Sequence, residues 1–143
     1  MKYMFLVLSL LFVISCGISE DSRPKDPQAE YTVETPGEWA GMESKHTPKF
    51  EIESIVPGKK MLIIRTEDLK YFDENHYIQR VGVYNKDKND LVSLSLDRPM
   101  KGKFQSVNVK LDLSFPLEVK QRQMVYVRCN LHDTWVAPLL PQN

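Results

Sequence analysis

A chain of 143 residues with 27% charged and 42% hydrophobic residues has the size and make-up of one ordinary globular domain, which excludes two domains, a collagen-like repeat and a wholly disordered chain. Nineteen basic residues balance nineteen acidic ones, so no clustered excess of Lys and Arg offers a footprint for nucleic acid, and none is expected as a partner.

At the N-terminus Lys2 precedes an apolar run of about a dozen positions, too short to span a bilayer as a permanent helix but right for an export signal. The run ends in Val13-Ile14-Ser15-Cys16-Gly17, which resembles the lipobox of bacterial lipoproteins. That resemblance implies a signal peptide over 1–15, lipidation of Cys16, and a protein anchored to a bacterial membrane and facing the periplasm or the cell exterior. A conventionally cleaved signal peptide with an incidental Cys would export the chain equally. Residues 16–36 then read as the lipidated Cys and a flexible tether, because Pro24, Pro27 and Pro36 stand among Ser, Asp, Glu and Lys with almost nothing apolar to bury.

From residue 37 to 143 the pattern becomes that of a folded domain. Val107, Val109, Leu111, Leu113 and Phe115 alternate with Asn108, Lys110, Asp112 and Ser114, the signature of a half-buried strand. Strands are likewise expected over 50–56, 60–66, 76–84, 92–96 and 125–129. Pro57-Gly58, the polar stretch 85–90, the stretch 99–103 around Gly102, and Pro116 mark the turns between them. No segment carries an apolar stripe at helical spacing for three turns. About seven short strands without long crossover helices predict an all-β fold, an immunoglobulin-like antiparallel β-sandwich.

The chain holds two Cys and three His. With Cys16 assigned to lipid, Cys129 is a lone thiol in an exported protein, where it is either an inert core residue or a ligand. The spacing Cys129-Asn130-Leu131-His132 allows a thiolate and an imidazole to meet on one metal ion, although one such word is a weak signal.

Further words strengthen it. Gly37-Glu38-Trp39-Ala40-Gly41, Lys45-His46-Thr47-Pro48, His76-Tyr77-Ile78 and Cys129-Asn130-Leu131-His132-Asp133-Thr134-Trp135 resemble, in order, the motifs of the superoxide reductase family, the neelaredoxin and desulfoferrodoxin group. The resemblance spans about residues 37 to 138 and implies an immunoglobulin-like iron domain. By it, His46, His76 and His132 offer imidazoles to a mononuclear non-haem iron and Cys129 binds as thiolate. Lys45 matches the lysine over the open face that attracts superoxide and helps protonate the product, with Glu43 beside it. Superoxide is then the substrate, hydrogen peroxide the product, and an unidentified protein the electron donor. Trp39 and Trp135 read as packing residues near the site.

The chain departs from the family pattern in three places. A fourth His ligand is expected six residues before His76, where this chain has Lys70, which as a cation cannot ligate; water or Asp73 would complete the shell, with Tyr71 and Glu74 less suited. Ser44 separates Glu43 from Lys45. Asp133 replaces a Gly, either because it tolerates positive φ or because its carboxylate orients His132. Three His and one Cys would also suit copper or zinc. The alternative to an enzyme is therefore a non-enzymatic sandwich lipoprotein that binds a metal or a partner protein.

Overall fold

The computed structural model describes residues 29–66 and 71–140. Cys16, the signal segment, the tether up to residue 28, and Lys70 lie outside the described residues.

Among the described residues eight strands form two sheets: β1 (Glu30–Tyr31), β2 (Lys49–Val56), β3 (Lys59–Arg65), β4 (Ile78–Tyr84), β5 (Asp90–Ser95), β6 (Asn108–Asp112), β7 (Met124–Cys129) and β8 (Thr134–Pro138). One sheet runs β1-β8-β7-β4-β5 and the other β2-β3-β6, antiparallel throughout except for the parallel β1–β8 pair. The expected all-β, immunoglobulin-like sandwich is the observed fold, with two strands the pattern did not reveal. One of these, β1, lies inside the stretch read as tether, so the sandwich takes in chain from Glu30 onward. Helix is confined, among the described residues, to the single turn α1 (Glu43–His46) and two 3₁₀ turns, Gly37–Trp39 and Val119–Gln121. No helix among the described residues is long and apolar enough to cross a membrane.

Period-2 patterning puts the core between the sheets. Leu62 and Ile64 of β3 with Val109 and Leu111 of β6 meet Val81 and Val83 of β4 and Val125 and Val127 of β7, all buried. Each such aliphatic side chain contributes about 1.5–3 kcal/mol of hydrophobic stabilisation. On the outer face of the larger sheet, Tyr84 and Tyr126 stack at 5.7 Å. Tyr126 lies across from Gly82. A Cβ at Gly82 would sit 2.5 Å from the Val92 carbonyl oxygen and 2.9 Å from the Tyr126 ring, so this strand position is open to glycine alone.

The order of strands decides where the site forms. The chain passes from one sheet to the other between β1 and β2 and again between β3 and β4, and these crossings carry His46 and His76. Cys129 ends β7, and His132 lies in the turn to β8. The end of β3 at Arg65 pairs with the start of β2 at Lys49, and the start of β4 at Ile78 pairs with the end of β7 at Cys129, so both crossings and the β7–β8 turn meet at one end of the sandwich.

Candidate metal centre

His46, His76, Cys129 and His132 converge at that end, their ligating atoms all within 4.8 Å of one another. The four residues predicted as ligands are therefore gathered into one cluster. His46 Nε2 lies 3.0 Å from His76 Nε2 and 2.9 Å from His132 Nδ1, and Cys129 Sγ lies 3.9 Å from His132 Nδ1. His46, Cys129 and His132 are buried and His76 half-buried, so the cluster is reached from the side of His76.

Each donor is aimed by local structure. α1 is too short to be stable alone, but the Glu43 carboxylate accepts the Gly41 N–H at 2.9 Å and the Glu43 carbonyl accepts the Thr47 N–H, closing the turn that carries His46. The Met42 carbonyl, which can only accept, takes a hydrogen bond from His46 Nδ1 at 3.1 Å, leaving the Nε2 lone pair aimed at the cluster. Asp73 folds its loop: one carboxylate oxygen accepts the N–H groups of Asn75 and His76 at 2.8 and 3.0 Å. Asp73, the expected substitute for the fourth ligand, is thus engaged by backbone donors and stands outside the converging group.

Asn130 joins the two ligand loops. Its Oδ1 accepts the Tyr77 N–H at 2.7 Å, its Nδ2 donates to the Asn75 carbonyl at 2.7 Å, and its own N–H donates to the Tyr77 carbonyl, so both neighbours of His76 hang from the residue after Cys129. Sequence reasoning places Asn130 in a motif word but misses this role; an amide inside a tight Cys-x-x-His turn is the signal for it. The Leu131 N–H donates to Cys129 Sγ at 3.4 Å, a contact that favours thiolate.

Aromatic rings wall the imidazoles. Trp39 meets His132 edge-on at 4.8 Å, Trp135 stacks on His46 at 5.7 Å, and Tyr71 and Phe72 stand edge-on or tilted against His46 and His76. Trp135 Nε1 also donates to the His132 carbonyl at 2.9 Å. Both Trp residues are thus packing residues at the site, as expected. At Asp133 the backbone has φ 58°, and its carboxylate accepts from Trp39 Nε1 at 3.3 Å. Asp133 therefore answers the need for positive φ, and its carboxylate fixes the indole that flanks His132. Lys45 Nζ lies 5.3 Å from the Tyr71 ring centroid, keeping a cation beside the wall of the site. Glu43 commits a carboxylate oxygen to the turn below it.

The electrostatics keep two of the rings ready to ligate. Burial, followed by the neighbouring His132 and His76, drives the His46 pKa from 6.5 down to about 3 against the opposing pull of the Met42 carbonyl. Burial and His132 likewise hold His76 at about 4. Both are neutral at pH 7. The sign of the resulting linkage is fixed: unfolded imidazoles bind protons below about 6.5 and folded ones do not, so stability of the metal-free protein falls as pH falls through that window. Between pH 6.5 and 5 His46 alone accounts for about 2 kcal/mol, with His76 adding in the same direction. Urea unfolding of metal-free protein should show this loss, and a His46→Gln chain should be flatter by that amount. Equal slopes for the two proteins would refute the buried neutral imidazole.

The cluster fits a metal ion. The His46 Nε2 lone pair faces two ring nitrogens at 2.9 and 3.0 Å, and one lone pair cannot satisfy both by hydrogen bonding. The same spacing is what neighbouring donors take around one ion at about 2.1 Å with a right angle between them. Imidazole nitrogen and thiolate suit first-row transition metals, iron among them.

No family model matches the chain, and no curated protein matches it in sequence. Its fold is similar to solved superoxide reductases. One is a crystal structure of superoxide reductase in the oxidised state, 14% identical, covering 76% of this chain and 92% of that one at a TM-score of 0.50. Another is a point variant of the superoxide reductase (neelaredoxin) from Ignicoccus hospitalis, 18% identical, covering 80% of this chain and 94% of that one at a TM-score of 0.55. At these identities the likeness establishes a superoxide reductase-like sandwich, and the four converging donors supply its candidate iron site.

Proposed function

We propose that this protein is an exported, lipid-anchored reductase that converts superoxide to hydrogen peroxide at a mononuclear iron held by His46, His76, His132 and Cys129. The observation that carries this reading is the convergence of three imidazoles and one thiol on a single point in a sandwich shaped like superoxide reductases. Bound iron would supply the one-electron couple. Superoxide, one electron and two protons give hydrogen peroxide, so the protein must attract an anion and deliver protons. We assign both tasks to Lys45: its charge, held over the Tyr71 ring that packs on His76, would draw the anion toward the His76 side, and its ammonium would supply a proton. Glu43, by closing the Gly41 turn, sets where Lys45 projects. Cys129, with the Leu131 N–H on its sulfur, would hold the ion as a thiolate and supply it with electron density.

Rapid mixing of ferrous-loaded protein with superoxide tests the reading. The expected result is oxidation of one iron per superoxide consumed, with peroxide formed in equal amount. Tight iron binding without that oxidation would support instead a metal-binding module, the outcome to which Lys70 at the fourth-ligand position would point.

The membrane anchor has its own test. Cys16→Ser should leave the protein as an unprocessed precursor or release it from the membrane fraction, because a diacylated chain end holds a small domain to a bilayer at about 0.8 kcal/mol per buried CH₂. Normal processing with unchanged membrane partition would refute lipidation at Cys16.

A further inference from the structure

A superoxide reductase needs a reductant, and the surface suited to receive one is the connection between β5 and β6. Residues 97–104 read Asp97-Arg98-Pro99-Met100-Lys101-Gly102-Lys103-Phe104. Met100 is 75% and Phe104 55% exposed, an unusual amount of large apolar surface on one short segment. Arg98, Lys101 and Lys103 are exposed around them, and neither Lys101 nor Lys103 forms an ion pair with any described carboxylate. Three cations stand here against Asp97 alone, in a chain whose charges sum to zero, and they form a local cationic rim about an apolar centre.

The same segment is fastened to the loop of the half-buried ligand. Arg98 Nε donates to the Glu74 carbonyl, the Gly102 N–H donates to the Glu74 carboxylate at 3.1 Å, and the Arg98 guanidinium lies 5.9 Å from the Tyr77 ring centroid. Gln105 closes the arrangement by exchanging hydrogen bonds with both the N–H and the carbonyl of Ile78, at 2.7 and 2.9 Å. Residues on both sides of His76 are therefore bonded to the loop, and a partner seated on it comes within a few residues of the least covered ligand.

Resting on the function proposed above, we infer that the 98–104 loop is the docking surface for the electron donor, a small one-electron carrier protein with an acidic rim. Apolar centres ringed by charge give brief, salt-sensitive encounters that suit a carrier which must arrive and leave at each turnover. The transfer is one electron: the reduced carrier is oxidised by one equivalent, the ferric centre is reduced by one, and no bond forms or breaks.

The test uses the full chain, iron-loaded and oxidised, with reduced plant-type ferredoxin as an acidic one-electron probe. Bleaching of the thiolate-to-iron band is followed by stopped flow, and binding of the same protein to immobilised oxidised ferredoxin is measured separately. Lys101→Glu/Lys103→Glu should slow reduction and weaken binding by about tenfold or more at low salt and remove most of the salt dependence. Phe104→Ser should weaken both severalfold while keeping the salt dependence. Reduction by neutral hydroquinone should stay within about twofold of wild type in all variants, since none touches the metal cluster. Wild-type rates and affinities in both variants would overturn the inference. It is overturned also if the variants lose binding to vesicles of 30% phosphatidylglycerol while ferredoxin binding is unchanged, which would make the loop a membrane contact. Because the binding arm does not depend on redox chemistry, a wild-type protein that docks ferredoxin through this loop but fails to oxidise with superoxide would count against the reductase reading and leave the surface standing.

Discussion

Cys129→Ser protein, loaded with iron and oxidised, should lack the visible thiolate-to-iron charge-transfer band of the wild type and bind iron more than about 100-fold more weakly, since even partners that only orient a ligand change metal affinity about 10–100-fold. The reasoning is atomic. A Ser hydroxyl at this position stays protonated at neutral pH, is a poorer donor, and reaches less far toward the cluster than Sγ, which lies 3.9 Å from His132 Nδ1. It also forfeits the sulfur that accepts the Leu131 N–H. A merely structural thiol predicts something different, because Cys129 is a buried residue at 2% exposure whose replacement would then cost stability without a spectral consequence. Titration of iron into both proteins, followed by absorbance, separates the two. A persistent band in the Ser variant, or iron affinities that agree within error, would remove Cys129 from the ligand set.

How much of this was legible in the residues differs from element to element. β6 announced itself because inward Val and Leu alternate with Asn, Lys and Asp, and the observed ladder Asn108–Asp112, extended by one hydrogen bond from the Leu113 N–H to the Lys60 carbonyl, stops short of Phe115. The strand expected from His76 begins at Ile78, since the Asp73 turn and the Asn130 clamp hold residues 75–77 off the ladder. β1 could not be seen: two residues in a Pro-rich polar segment have no period, and their partner β8 is more than a hundred residues away. β8 was hidden for another reason, because Trp135-Val136-Ala137 is apolar on both faces and ends at a proline. All four clustered ligands were named from motif words, yet what brings them together is the sheet-crossing path of the chain, which no word contains. The Glu43 carboxylate on the Gly41 N–H, the Asn130 clamp and the indole partner of Asp133 are side-chain geometry and become visible only with the fold.

The second large effect belongs to Trp135, where the core and the site share one side chain. Its ring is fully buried, stacks on His46, tilts against Tyr31 of β1 at 5.8 Å, and donates its N–H to the carbonyl of His132. Trp135→Ala removes that ring from a position where neighbours from three separate segments cannot all close in, so it should cost about 3–5 kcal/mol of folding free energy, a large share of the roughly 5–15 kcal/mol a domain of this size possesses. Trp135→Phe keeps an aromatic face for His46 and Tyr31 but leaves the buried His132 carbonyl without its donor, for about 1–3 kcal/mol. The two variants also divide the functional loss. In the Phe variant His132 is free to tilt, so iron affinity should fall and the charge-transfer band shift while the chain stays folded. Denaturant unfolding of the metal-free proteins gives the stability order wild type, Phe, Ala, and iron titration of the Phe variant gives the site effect. A Trp135→Ala cost below about 1 kcal/mol would mean that the indole is not the brace between β1, His46 and His132 that its contacts make it.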